Sequence, residues 1–332
     1  MQGKQPKQRA FPGVQIVEMD TSTRNLPFVP PVEGCRVERV HHIGPFVTEV
    51  RLRLPDGQPL VWRSRQHRFT GGLSASPSDD LRGREQARWW IKVGLFARII
   101  WWVSACFVIG SGCFAISSAA GMTPGLLGGF ARSATAINVV FFIGSIFFTA
   151  AAYLQFLAAV NADRIATLAH RLQAQGRFRW FGWNPMAIGW LSAASQLVGT
   201  LLFNLNTFDA LLPGLDWLQE DLLIWTPDAL GSICFLAASA LALLEYGNGR
   251  LLTWDPRDVS WWIVNLNMLG SLAFGVAAVY ALVLPGATDV LDAWLVNATT
   301  LVGALCFMVA AVLLLPELGR NLRRMVARIS DE

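Results

Sequence analysis

Among the residues inside the apolar stretches of this chain, Asp228 is the best suited to chemistry. It stands three residues before Gly231. An ionisable side chain within a membrane is a functional hypothesis by default. If the stretch around it has the depth of the others, Asp228 is a cation or proton site near the midplane. Alternatively, Trp225-Thr226-Pro227-Asp228 begins a helix, with Thr226 as the cap and Asp228 favoured by the helix dipole. The sequence favours the cap, and the depth of Asp228 separates the two interpretations.

Neutral polar side chains are more numerous in the apolar stretches. Hydrogen bonding between helices is their usual role, but a polar path for a small solute or ion is the alternative, as at the repeat interfaces of transporters. That path would be lined by Asp228 with Asn138, Asn265 and Asn297. The wider set of amides comprises Asn138, Gln155, Gln196, Asn204, Asn206, Asn265, Asn267 and Asn297.

Cys113, Cys234 and Cys306 are spaced so that three thiolates could bind a soft metal, but buried cysteine usually packs as a small apolar residue. All four histidines lie outside the apolar stretches. The chain has no phosphate-binding loop, zinc motif or nucleophile elbow. We therefore expect no catalytic residue, no metal and no cofactor, and no enzyme.

The elements that would position these residues are membrane helices. The chain has 332 residues, of which 53% are hydrophobic and 15% charged, more apolar than an ordinary soluble protein. It predicts six spans, which lie at about 93–118, 135–159, 187–206, 222–245, 260–283 and 291–315. Lys and Arg concentrate before the first span, in alternate loops and in the tail, which predicts cytoplasmic termini in a cell (inner) membrane.

Each predicted span contains one copy of a frame with Gly, a small residue, two variable positions and Phe. The glycines are Gly110, Gly144, Gly199, Gly231, Gly270 and Gly303, and the phenylalanines are Phe114, Phe148, Phe203, Phe235, Phe274 and Phe307. Glycine lets helix backbones approach closely, and Phe four residues later lies on the same face. Trp101, Trp190, Trp261 and Trp294 each stand nine residues before a frame glycine, which places the glycines near the midplane if the indoles mark the interface.

The spacing of the frames predicts three tandem hairpins, 93–159, 187–245 and 260–317. Glu245 and Glu317 both stand fourteen residues after their frame glycine, and Asn138 and Asn297 both stand six before. The predicted fold is therefore an all-α polytopic membrane protein with six transmembrane helices in approximate threefold relation, occupying 89–332 with a basic cytoplasmic tail.

The frame, with Trp261-Trp262, Asn265, Gly270-Ser271 and Phe274, resembles the YrhK-like domain, a two-span bacterial membrane module of unknown function. Two longer stretches, 142–149 and 227–235, are similar to uncharacterised bacterial multipass proteins that carry this domain. The resemblance implies three degenerate copies over about 93–317. It implies no activity and transfers no catalytic residue.

The region before the first span predicts a flexible arm at 1–33, followed by a cytoplasmic β-hairpin region and basic junction at 34–88. The hairpin turns at Pro55-Asp56-Gly57, and 36–42 is the natural third strand. One face carries Arg51, Arg53, Arg63 and Arg65, which predicts attraction to anionic headgroups of about 1 kcal/mol per side chain. A solvated face without a partner is the alternative, and nucleic acid is not expected.

Two functions follow from this sequence. In the first, the bundle is a structural or interaction protein that anchors the basic cytoplasmic region at the membrane or assembles with further copies of the chain. In the second, the bundle moves a small solute or ion along Asp228 and the asparagines. A polar cavity reaching Asp228 would favour transport, and a centre filled by the six phenylalanines would favour the structural role.

Overall fold

The computed structural model describes residues 36–53, 57, 59–70, 74–75, 85–123, 125, 128–166, 178–287 and 289–330. The predicted arm at 1–33 lies outside these residues, and so do the side chains of the basic junction at 81–92.

The N-terminal part is a small antiparallel sheet with the strand order β1-β2-β3-β4. The strands are β1 Arg36–Ile43, β2 Phe46–Arg53, β3 Pro59–Arg63 and β4 Ser74–Ala75. Val50 pairs with Val40 on one side and Trp62 on the other. The predicted hairpin and third strand are therefore present, and the sheet buries a small core of Val37, Val47, Val50, Leu52 and Trp62.

The alternating pattern of β3 ends earlier than the sequence predicts. After Arg63 the chain turns into a short helix, α1 Ser64–Thr70. Arg65 therefore does not lie on the sheet face with Arg51, Arg53 and Arg63, and its predicted place there is wrong. The sheet instead presents α1 to the helical part of the molecule.

Six helices in the described chain are long and apolar enough to cross a membrane, as predicted. They belong to α2 Glu85–Met122, α3 Ala134–Ala166, α4 Ile188–Asp209, the run from α5 Trp217–Glu220 to α6 Thr226–Tyr246, α7 Val259–Tyr280 and α8 Ala293–Ser330. Neighbours pack in chain order, and α8 closes on α2. We call the end of this bundle that contacts α1 the sheet end.

In each of the three helix pairs α2/α3, α4/α6 and α7/α8, the two frame glycines contact each other. A Cβ added to Gly110 would lie 2.9 Å from the carbonyl oxygen of Gly144, and one added to Gly144 would lie 2.8 Å from Phe114. Gly199 and Gly231 of α4 and α6 make the same reciprocal contact, and so do the pair in α7 and α8, which comprises Gly270 and Gly303. The helices approach as closely as their backbones allow at these three crossings.

The six frame phenylalanines are buried together between the helices. Rings meet across the bundle as well as within pairs: the centroids of Phe114 and Phe274 are 6.0 Å apart, and those of Phe235 and Phe307 are 5.7 Å apart. Such separations are typical of favourable aromatic contacts. A phenylalanine layer therefore fills the centre of the bundle at the level of the glycines.

This packing predicts different responses from two glycines of the same helix. A Cβ at Gly110 meets backbone, whereas a Cβ at Gly112 meets nothing within 4 Å. We expect Gly110→Ala to lower the free energy of unfolding by about 1–3 kcal/mol through overpacking, and Gly112→Ala to leave it unchanged or slightly raised. Unfolding by SDS in mixed micelles measures both, and equal responses would contradict the crossing.

Candidate functional site

Two buried glutamates at the sheet end are the clearest concentration of charge among the described side chains. Glu245 lies near the end of α6 and Glu317 lies in α8, with side chains 1% and 9% exposed. They occupy equivalent places in their helices, fourteen residues after Gly231 and Gly303. An ionised carboxylate this deeply buried requires a cation or several hydrogen-bond donors.

The helix α1 supplies those partners. Arg68 donates from both terminal nitrogens to Glu245, one to each carboxylate oxygen, with Nη2 2.5 Å from Oε2. Ser64, one helical turn earlier, donates its hydroxyl to Oε1 of Glu245 at 2.6 Å. The fork of a guanidinium fits two carboxylate oxygens, so this pair fixes orientation as well as charge.

The second glutamate binds the same helix more loosely. Nη2 of Arg65 lies 3.4 Å from Oε1 of Glu317, and the hydroxyl of Ser260 in α7 also donates to Oε1. Arg65 and Arg68 are both only 13% exposed. Two arginines of one short helix thus enter the bundle between α6, α7 and α8.

Gly189, in the first turn of α4, makes room for this arrangement. A Cβ there would lie 1.4 Å from Nη1 of Arg68. Because the guanidinium is fixed by Glu245, it has little freedom to move aside. Gly189 is therefore part of the site although it carries no side chain.

A cavity of about 80 Å³ lies beneath α1, between Arg65 and Arg68 at the sheet end and Phe107 and Phe307 deeper in the bundle. Most of its wall is apolar. Its polar lining comes from three amides and two serines, which are Gln155, Gln196, Asn267, Ser192 and Ser239. The volume is enough for several water molecules or one small organic molecule.

A second, wider cavity of about 400 Å³ lies on the other side of the buried pairs, between the sheet and the helix ends. Arg63, Arg250 and Arg320 line it together with Asp255 and Asp258. Asp258 accepts hydrogen bonds from the hydroxyl of Tyr246 and the backbone N–H of Ser260. The lining of this cavity therefore carries both signs of charge.

The arginines on the exposed sheet face are engaged by acidic side chains. Nε of Arg51 and Nε of Arg63 lie 2.9 Å and 3.0 Å from the buried carboxylate of Glu49, and Nε of Arg53 lies 2.5 Å from Glu38. Burial raises the pKa of Glu49, but the hydrogen bonds and charges of Arg51 and Arg63 outweigh it and lower that pKa below its usual value.

Asp228 does not begin a helix. The helical run starts at Trp217 with a capping box, in which Asp216 and Gln219 bond reciprocally, and continues through a π-helical turn, Asp221–Trp225, into α6. The hydroxyl of Thr226 donates to the carbonyl of Asp221 at 2.7 Å and caps nothing. The capping interpretation is therefore wrong, and Asp228 lies inside the helical run, on the face that carries the buried Ser232 and Phe235.

The predicted polar path is not assembled in the structure. Asn138 donates to the carbonyl of Ala210, while Asn265 and Asn297 donate to carbonyls of their own helices. Neither Asp228 nor any of these asparagines lines either cavity described above. The cavity under α1 is lined by other amides of the predicted set.

The cysteines and histidines form no metal site in the part of the chain that the structure describes, where no three metal-binding side chains come together. Cys306 is buried, and Cys113 and Cys234 are partly buried.

Sequence reasoning missed the contact between α1 and the glutamates. The equal register of Glu245 and Glu317 was a signal that they share a level, but nothing in the alternating pattern of 60–65 indicated that the chain would leave the sheet and bring Arg65 and Arg68 to them.

Comparison with family models, with curated proteins and with solved structures found no match. The site is therefore interpreted from its own geometry.

The Arg68–Glu245 pair predicts a non-additive response. Glu245→Leu removes the carboxylate that the buried Arg68 binds and should lower stability by about 3–5 kcal/mol, whereas Glu245→Leu combined with Arg68→Met should recover most of the loss. The readout is backbone hydrogen exchange of α1 and unfolding of the purified protein. If the double variant loses as much as the two single variants summed, the pair does not hold α1.

Glu49 predicts an acid response of the sheet. Because its folded pKa is lowered, its stabilising contribution is complete above the ordinary value of 4.5 and is lost as the pH falls through the folded value. Burial also lowers the pKa of His41, so protonation of His41 destabilises the sheet in the same direction. Protection of β2 and β3 against hydrogen exchange, corrected for intrinsic rates, should fall on acidification.

Glu49→Gln is the control for this response. It should show weaker protection at neutral pH and a smaller further loss in acid, because the titrating carboxylate is gone. An acid response identical to that of the parent would assign the effect to another group.

Proposed function

We propose that this chain is a multipass membrane protein with a structural role, in which the helix bundle holds the basic N-terminal sheet at the cytoplasmic face of the membrane for interaction with other molecules. The observation that carries the proposal is the insertion of α1 into the sheet end of the bundle through Arg68–Glu245 and Arg65–Glu317. A sheet that needed only a covalent tether would have no use for two buried ion pairs, which cost desolvation and are best justified by the geometry they fix.

The filled centre of the bundle favours this role over transport. The six frame phenylalanines occupy the middle of the bundle, and the cavity under α1 ends against Phe107 and Phe307. Asp228 lies outside that cavity. A conducting path would have to pass the phenylalanine layer.

We further propose that the bundle consists of three degenerate hairpin copies related to the YrhK-like domain. The reciprocal glycine contacts support this. So do two matching tryptophan contacts. Trp190 donates to the carbonyl of Gly182 and meets Trp183 edge to face, and Trp261 donates to the carbonyl of Thr253 and meets Trp254 edge to face. In both helices the carbonyl that accepts the hydrogen bond stands eight residues before the tryptophan, and the tryptophan that it contacts stands seven residues before it.

The distribution of basic residues supports cytoplasmic termini in a bacterial inner membrane. Anionic headgroups are the proposed surface partner of Arg51, Arg53 and Arg63, which stay about half exposed in their ion pairs. Together with Glu38 and Glu49 these arginines form a cluster of small net positive charge. Attraction to lipid therefore adds to the anchoring by α1 and does not replace it. Assembly with further copies of the chain is also proposed.

Cutting the chain between the sheet and the bundle tests the anchoring role. A site for a specific protease is introduced within residues 76–80, and inner-membrane vesicles or proteoliposomes are cleaved and sedimented. We expect the N-terminal fragment to sediment with the parent bundle and to be released when Glu245→Leu and Glu317→Leu are combined. The matched control is Arg53→Gln on the sheet face, which should not release it.

Two further measurements, with varied lipid composition and of solute flux, distinguish anchoring by the bundle from attachment through lipid and from transport. Release that follows the removal of anionic lipid, and not the loss of the glutamates, would contradict anchoring by the bundle. Flux of ions or small solutes that exceeds protein-free vesicles and falls in Asp228→Asn would favour transport.

A further inference from the structure

Three amide side chains that make no hydrogen bond within the described chain line the cavity under α1. Within the described part of the chain, every Asn and Gln side chain in the six spans makes a hydrogen bond except Gln155, Gln196 and Asn267. These three come from three different helices, α3, α4 and α7, and all three line this cavity. Oε1 of Gln155 is fully buried and has no partner in the described chain.

A buried amide oxygen without a partner in the described chain, as at Gln155, favours a hydrogen-bonding molecule in the cavity beside it. Buried polar groups in native proteins are almost always hydrogen-bonded, and in a low-dielectric interior an unpaired one is costly. Residues that only link helices would have paired with each other or with backbone carbonyls, as Asn138 does. The three amides therefore offer free donors and acceptors to a molecule in this cavity.

The lining fixes the chemistry of that occupant. A carboxamide offers two donors and one acceptor and carries no charge. The charged groups at the cavity, Arg65 and Arg68, are matched by Glu317 and Glu245. Ile100, Val103 and Ile263 complete the wall with apolar surface. An ion would find no counter-charge that is not already engaged, so the occupant is neutral, small and able both to donate and to accept.

We propose that this cavity is a binding site for a small uncharged hydrogen-bonding molecule of the urea or polyol class, held by Gln155, Gln196 and Asn267 and covered by α1. The phenylalanine layer closes the cavity on the side away from α1. The site goes beyond the anchoring role, although α1 covers it. Asn267→Leu changes the site without touching the ion pairs, so failure of the site and failure of anchoring appear in different variants.

The test is saturation-transfer difference NMR on the full-length protein in nanodiscs, with urea and glycerol as probes at low millimolar concentration and tert-butanol as a bulkier probe with a single hydroxyl. We expect transfer to urea or glycerol in the parent. In Asn267→Leu the apparent affinity should weaken about threefold to tenfold, as for loss of one hydrogen bond. Gln196→Met, which keeps the chain length, should behave likewise and replaces Asn267→Leu if that variant does not fold.

The matched control is Asn265→Leu. It is the same substitution on the same helix two residues away, but Asn265 bonds to the carbonyl of Trp261 and does not line the cavity. It should leave probe binding unchanged. Equal transfer in the parent, Asn267→Leu and Gln196→Met would mean that the probes associate with the surface, and it would overturn the site. Absence of transfer to urea and glycerol in the parent would mean that the cavity holds water only, and it would overturn the site as well.

Discussion

A carboxylate buried at the end of an apolar helix requires a cation or several hydrogen-bond donors, and here the cations that meet this requirement join the two parts of the molecule. Glu245 and Glu317 are buried at the sheet end, and the cations that pair with them come from a seven-residue helix attached to the sheet. The position of the sheet, the cover over the inner cavity and the proposed anchoring role all depend on these two ion pairs. Such pairs contribute little net stability, but breaking one side is costly, so they specify position better than they add strength.

The glutamates meet α1 at one level because the helices that carry them are fixed in register farther inside. At each of the three glycine crossings the partner's backbone carbonyl oxygen lies 2.9–3.2 Å from where a Cβ would be. Sliding one helix of a pair along the other would therefore bring side chains against this backbone. The phenylalanines then fill the space that small residues leave at the centre. Since lipid offers no hydrophobic drive for helix association, close packing of this kind is the expected means of holding a membrane bundle together.

The bundle was largely predictable because its signals are local and periodic. Six apolar stretches and the small sheet are visible in the sequence, as are the glycines that later meet. The fourth helical run begins earlier than predicted because Asp216 and Gln219 form a capping box and a π-helical turn carries the helix past Pro227. That turn depends on geometry that composition does not encode, and it removes the capping role of Thr226 and Asp228.

The site was much less predictable than the fold, because it depends on which long-range pairs form. Asn138 and Gln155 look alike in the sequence as isolated amides in one span, yet Asn138 donates to the carbonyl of Ala210 at the end of α4 and Gln155 lines a cavity. Likewise Arg63 and Arg65 fit one alternating strand, but the chain becomes helical between them and sends Arg65 to Glu317. Periodicity gives the face of a residue within an element and leaves its tertiary partner open.

The most direct test of the account is the distance between the sheet and the bundle. Spin labels at Arg63 on the exposed sheet face and at Leu252, which is 92% exposed in the loop before α7, report that distance by pulsed electron paramagnetic resonance in nanodiscs. If the buried ion pairs hold α1, the parent gives a single narrow distance distribution, and it broadens when both glutamates are replaced by leucine. A broad distribution in the parent, or one that the loss of both glutamates leaves narrow, would contradict the account.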